Sequence, residues 1–422
     1  MNTILDATVA GSLLSSYGKR ARFPKGIVVQ SQEAGVYANR ANGSAGVALK
    51  EGHHMTFPLF QKLNPLITAD ELVAYAPTAG DMRLRRLWYE EMKRKNPALE
   101  ECSCSLPMVT AGLTHSLRIA AELFVDEGDD VIIANPAWDN YELIFSDVRQ
   151  GKLHHPSLFD ENLNFNFDAV LSSIRSVKKE KAILLLNFPN NPTGYTPSEK
   201  EYAELTAALV QIAEEGKKLL VIIDDAYYGL FHTSEACTTS LFAFLCNAHP
   251  NILALKCDAA TKEALAWGLR MGFLTFGGAG LTGEHYDALL EKCSSAMRSS
   301  ISSCSRTSQT LLIKVLENPE CRLTLVDAAQ EIKKRFELLM QEVSEWPSDT
   351  PLHLYPANSG YFCTFACKGD AEQLRVKLLH DCGIGTIALK GNLLRLAYSA
   401  IDEQEIPFVM QKMQNGARKL WS

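Results

Sequence analysis

Lys262 and Arg270, eight residues apart, could act together on one ligand. Lys262 lies between two apolar runs, residues 252–256 and 273–276, that read as buried strands. An ammonium resists desolvation, so burial lowers its pKa and makes the amine a nucleophile toward carbonyls. Arg270 follows, just ahead of Gly272. A planar guanidinium there can hold a phosphate in its fork. Together the two point to an aldehyde cofactor that carries a phosphate. A surface helix with both side chains solvated is the alternative this stretch leaves open.

Other residues that could join them follow predicted strands, and in an open α/β sheet ligands sit beyond the carboxyl ends of strands. The run 131–134 leads to Trp138, placed to stack on a flat ring or to pack into the local core. The run 182–186 ends in Asn187-Phe188-Pro189-Asn190-Asn191-Pro192-Thr193-Gly194, where Asn191 could donate an amide hydrogen to a phenolate-like oxygen. The run 219–223 ends at Asp224, with Tyr227 close by. A buried aspartate stays ionised only with a partner, and a protonated ring nitrogen would serve. The alternative is a solvated acidic turn. Residues 108–117 read as a strand end, a turn at Gly112 and the start of an amphipathic helix, whose free amides favour an anion, though many such turns hold nothing. Arg395 alternates with Leu394 and Leu396 in a short strand, pointing away from the face those leucines bury. It calls for a carboxylate, or else joins an edge-strand salt bridge. The turn through Gly43 and Gly46 is either a plain loop or a place where backbone could come close to a ligand.

The elements that must position these groups are legible in outline. Residues 82–92 carry Leu84, Leu87 and Trp88 at helical spacing. Thr196-Pro197-Ser198-Glu199 reads as a capping box, with the following helix burying Tyr202, Leu205, Leu209 and Ile212. Residues 283–317 read as one long helix bridging to a C-terminal region. A chain of 422 residues suits two domains. The expected division is an N-terminal segment at 1–56, a large domain at 57–295 and a smaller one at 296–422. The net charge of −7 gives no basic footprint for nucleic acid or anionic membrane. Eleven cysteines without a CxxC, and an N-terminus unlike a signal peptide, point to reduced thiols in the cytoplasm. Ten histidines show no metal-ligand spacing, so no metal is expected.

Taken in order, the glycine turn at 110–117, Trp138, Asn191-Pro192-Thr193-Gly194, Asp224 with Tyr227, Lys262 with Arg270, and Arg395 resemble the fold-type-I pyridoxal-phosphate enzymes, in particular the class I/II aminotransferases. The resemblance implies an α/β fold. Its large domain has a mostly parallel seven-stranded sheet between helices, and a smaller α+β domain is built from both ends of the chain. It implies pyridoxal 5'-phosphate held as a Schiff base by Lys262, which also moves the proton at the substrate Cα. Asp224 is implied to pair with the ring nitrogen, Tyr227 and Asn191 with the ring oxygen, and Trp138 with the ring face. Arg270, Leu113 and Thr114 would hold the phosphate, and Arg395, Asn191 and Gly46 the substrate. Tyr75 is similar to the tyrosine that reaches the neighbouring subunit's cofactor, which implies a homodimer. Ala259 stands where relatives often have a phosphate-contacting serine, with Thr261 as the nearby hydroxyl. His115 occupies the phosphate turn, and Arg298 falls near an arginine that dicarboxylate-specific relatives keep. The implied reaction moves an amino group between an amino acid and a 2-oxo acid. A C–S β-lyase on the same fold and a cofactor-sensing regulator are the other readings.

Overall fold

The computed structural model describes residues 3–6, 8–22 and 26–421. Seven strands form the main sheet: β1 (Met108–Thr110), β2 (Asp130–Ile133), β3 (Lys152–His154), β4 (Lys181–Asn187), β5 (Lys218–Asp224), β6 (Ile252–Ala259) and β7 (Gly272–Gly278). Their spatial order is β1-β7-β6-β5-β4-β2-β3, and only β7 runs against its neighbours. Strands β4, β5 and β6 are buried almost end to end, which is why they read as continuous apolar runs rather than alternating ones. The register aligns Asn187 with Asp224, Asp224 with Cys257, Ala259 with Gly272 and Gly272 with Thr110. One edge of the sheet therefore carries every strand end singled out above.

A second sheet holds β8 (Leu352–Leu354), β9 (Phe362–Cys367), β10 (Ile387–Leu389) and β11 (Leu393–Ala397) in the order β8-β9-β11-β10. It has its own core, to which Ala41 and Ala48 from the N-terminal part of the chain contribute. Helix α1 (Ile27–Tyr37) is moored to this sheet: the Gln30 side chain donates to the Ala388 carbonyl at 2.9 Å and accepts from its N–H at 2.7 Å.

Helix α2 (Met82–Lys95) forms where the apolar spacing places it, and Asp81 caps it by accepting from the Arg83 and Leu84 amides. Helix α3 (Leu113–Phe124) opens at Gly112 with no side-chain cap. Two local expectations are corrected. The capping box of helix α4 (Glu199–Glu214) is Ser198 with Glu201, so Thr196 and Pro197 precede the helix and Glu199 is its first residue. The expected long helix at 283–317 is two, α5 (Gly283–Ser300) and α6 (Arg306–Glu317). Ser302 at φ +66° turns the chain between them, and Ser305 caps the second. Helical spacing carries across the break, so periodicity alone did not mark it.

A charged cluster lies inside the large domain. Lys256 on β6, about 1 % exposed, contacts Asp225 and lies 3.3 Å from Asp258. Ser240 Oγ donates to Asp225 at 2.6 Å, and Trp88 Nε1 donates to Asp258 at 3.1 Å. Two acids share one buried lysine, so removing that lysine leaves both uncompensated. Lys256→Met is expected to destabilise the protein by about 3–5 kcal/mol. Thermal melting of the cofactor-free protein checks this, and an unchanged melt would show that the cluster carries no such stability.

Candidate active site

A cavity of about 290 Å³ lies at the carboxyl edge of the main sheet, between it and the second sheet. Gly46, Leu113, Thr114, Trp138, Asn191, Asp224, Tyr227, Lys262, Arg270 and Arg395 all line it. The topology brings together ten of the eleven residues expected from sequence. The exception is Tyr75, which is 95 % exposed and outside this cavity. Arg298 is exposed near the end of α5 and does not line the cavity either. His115 is held locally: its Nδ1 accepts from the Ala111 N–H at 3.3 Å, and its Nε2 lies 3.3 Å from Ser300 Oγ.

Lys262 sits in a single helical turn, Ala260–Glu263, just past the end of β6. Its Nζ donates to the Gly46 carbonyl at 2.9 Å. Its pKa is lowered to about 7, chiefly by burial and then by the positive charges of Arg270 and Arg395, with Asp224 pulling the other way. The amine is thus largely neutral just above neutral pH, the condition for attack on a carbonyl.

Asp224 ends β5 with 2 % exposure, which excludes the solvated acidic turn. Burial raises its pKa to about 7 against three donors. Tyr141 Oη donates at 2.7 Å, Asn187 Nδ2 at 3.2 Å and the Ala226 N–H at 3.1 Å. Among the described residues no cation forms a salt bridge with it. Such a carboxylate is prepared to accept one more proton-bearing group, and a protonated ring nitrogen would fit. Tyr141 and Asn187 were not foreseen as site residues. The strand-end position of Asn187, beside Asp224 on the neighbouring strand, was the available signal. Tyr141 lies three residues past Trp138 and reaches the acid only through the fold.

The opposite end of the cavity suits a phosphate. Gly112 adopts φ +83°, and a Cβ there would lie 2.6 Å from Arg270 Nη2. Only glycine lets the guanidinium lie against the start of α3. The first amides of a helix have no acceptor within it, so those of Leu113 and Thr114 can face an anion beside Arg270. Gly272 closes the cradle, since a Cβ there would lie 2.4 Å from the Gly112 carbonyl carbon. Thr261 lines the cavity beside Ala259, so a hydroxyl stands near where the serine is lacking.

Arg395 lies on an interior strand, which excludes the edge-strand salt bridge. It is 3 % exposed and has no carboxylate partner among the described residues. Its Nη1 donates to Asn191 Oδ1 at 3.1 Å and its Nη2 to the Ser44 carbonyl at 3.0 Å, while Phe362 lies beneath it at 4.4 Å. Its Nε is buried without a partner among the described residues. A buried arginine bound only to neutral acceptors is a receptor for an incoming carboxylate. Asn191 uses its oxygen on Arg395, which leaves its amide NH₂ for a ligand.

The sequence profile of aminotransferase class I and II matches residues 44–413. A probable aspartate aminotransferase of Methanocaldococcus jannaschii is 28 % identical over 167 residues, a match spanning 40 % of either chain. A probable aspartate/prephenate aminotransferase of Aquifex aeolicus is 24 % identical over 68 % of this chain and 69 % of its own. The crystal structure of an aminotransferase from Anaerococcus prevotii superposes with a TM-score of 0.84 at 22 % identity, covering 97 % of this chain and all of that one. With a family profile matched along most of its length and the same two-sheet fold, this chain belongs to the class I and II aminotransferases.

Proposed function

We propose that the protein transfers an amino group between an amino acid and a 2-oxo acid with pyridoxal 5'-phosphate, and that it acts as a homodimer in the cytoplasm. The observation that carries the reading is one cavity holding a half-buried amine whose pKa is lowered to about 7, a buried acid without a cation, and a buried arginine without a carboxylate. When bound, the cofactor supplies an electron sink for charge developing at the substrate Cα. Lys262 holds it and moves the proton at that carbon. Asp224 is kept in place by Tyr141 and Asn187 to hold a proton on the ring nitrogen. Asn191 and Tyr227 would donate to the ring oxygen, and Trp138 would stack against the ring. Arg270 and the first amides of α3 hold the phosphate. Arg395 takes the substrate carboxylate, with the Gly46 backbone alongside.

Tyr75 fits the homodimer: a fully exposed tyrosine can complete a site only on another copy. Sedimentation of the protein as a monomer would remove that role. The cytoplasmic placement rests on eleven unpaired cysteines. Among the described residues no helix is long and apolar enough to cross a membrane.

A single-turnover absorption experiment tests the function. The visible band of the loaded protein should bleach with a suitable amino acid and return with a 2-oxo acid. A band that survives a full amino-acid panel would overturn the reading, and release of pyruvate and ammonia from a cysteine conjugate without an acceptor would assign elimination instead. In the same assay Lys262→Ala should abolish turnover. Asp224→Ala should retain some cofactor and lose most activity, roughly 10²-fold or more.

The pKa of Lys262 sets a second expectation. Only the neutral amine attacks an aldehyde, so covalent loading of the cofactor-free protein should speed up as pH rises through about 7 and level off above it. Stopped-flow absorbance reads this directly. A rate still climbing toward pH 10, where an ordinary lysine titrates, would contradict it. Stability moves with Asp224. Its folded-state pKa is raised, so its contribution is present below the unfolded value and lost as pH rises through about 7. Asp224→Asn should therefore raise the melting temperature of the cofactor-free protein at pH 8.

A further inference from the structure

The turn that carries Lys262 cannot hold its own shape. A helix of four residues, Ala260–Glu263, has no independent stability. Leu265, just after it, sits at φ +50°, a left-handed conformation that strains a non-glycine residue. The position of the amine is therefore set from outside the turn. Tyr361 Oη donates to the Lys262 carbonyl at 3.1 Å, and Thr56 Oγ1 donates to the Leu265 carbonyl at 2.9 Å. The third tether is the charged one. Glu263, the residue after Lys262, is ion-paired with Lys95, the last residue of α2.

Lys95 is itself held in place. Its ammonium lies over the Trp88 ring at 5.7 Å, and Trp88 is fixed by its bond to Asp258. Its carbonyl lies 3.3 Å from Tyr228 Oη, whose one proton is also within reach of Asn96 Oδ1 at 2.8 Å and the Thr238 carbonyl at 2.6 Å. Both partners are mostly covered, with side chains 18 % and 25 % exposed, so the pair is screened less than a surface ion pair. Glu91, Arg94, Lys256 and Asp258 are the other charges acting on Lys95. Burial lowers Lys95 to about 8, so at pH 7 it is charged. On the cavity side, Lys262 faces Arg270, Arg395 and Asp224.

We propose that Lys95, through its ion pair with Glu263, is a positioning residue that sets the placement of the Lys262 amine from the side of the turn away from the cofactor and keeps the charge behind that turn balanced. It touches neither substrate nor cofactor. The proposal rests on the aminotransferase reading only for the identity of the group that Lys262 holds.

The pair makes an opposite-sign prediction that a simple strut would not. Lys95→Met leaves an uncompensated carboxylate one residue from Lys262, which favours a protonated nitrogen there. Glu263→Gln leaves an uncompensated ammonium, which disfavours it. In the cofactor-loaded protein, the pH midpoint of the visible band should rise in Lys95→Met and fall in Glu263→Gln, each by roughly 0.5–1 unit. Both variants should lose kcat with little change in the KM for the amino donor, and Lys95→Arg should restore both readouts. In the cofactor-free protein, hydrogen exchange at 262–266 should quicken in both. Wild-type midpoints and kcat in the two variants, with at most a lower melting temperature, would reduce the pair to a structural contact and overturn the proposal. Should Lys95→Met fail to fold, the downward shift in Glu263→Gln decides the matter alone. A wild-type protein with no visible band after loading would instead defeat the reading of function and is distinguishable at once.

Discussion

Three ionisable side chains are wholly or partly withdrawn from water at one place and denied ion-pair partners there. Lys262, Asp224 and Arg395 line the same cavity, and burial pushes each toward its neutral form. Left as they are, these groups cost stability, and a protein selected only to fold would pair them or replace them. Their arrangement makes sense when the missing charges arrive with ligands: a ring proton for the acid, a carboxylate for the arginine and an aldehyde for the amine. The rest of the molecule can be read as what is needed to hold that unfavourable set still.

The main sheet does most of the holding. Its register puts Asn187, Asp224, Ala259, Gly272 and Thr110 along one edge, so groups far apart in sequence share one cavity. Neutral donors then keep the acid's geometry without satisfying its charge. A lysine ion-paired with Asp224 would satisfy it too well and close the site to a ring nitrogen. Tyr141, Asn187 and the Ala226 amide orient the carboxylate and leave it able to accept again. The same logic governs Arg395, whose partners Asn191 and Ser44 are both uncharged. The contrast lies beneath the site, where Lys256 is fully paired with Asp225 and Asp258 and has no charge left to offer a ligand.

Most of this was legible in the sequence because strand ends are legible. An apolar run followed by a polar residue marks where the chain leaves the sheet, and Asp224 and Asn191 follow such runs, as Lys262 does within a few residues. What the sequence did not reveal depends on distance across the fold. Tyr141 lies 83 residues from the acid it donates to. The partners of Arg395 come from a loop near the N-terminus and from the turn after β4. Local signals also misled where two capping patterns overlapped. Both Thr196 and Ser198 precede an acidic residue by three, and only the bond geometry shows that Ser198 closes the box.

Charge placement on the far side of the Lys262 turn extends the same constraint. The cavity side of that turn carries two guanidiniums and one acid, an imbalance that drives the amine toward neutrality. A further net charge behind the turn would move that balance in either direction. Lys95 and Glu263 supply one charge of each sign, so they can tether the turn strongly while adding little net field at the amine. An ion pair is suited to this where a single charged anchor is not. It fixes the backbone through a strong, directional contact and leaves the proton affinity of Lys262 to the groups that face the ligand.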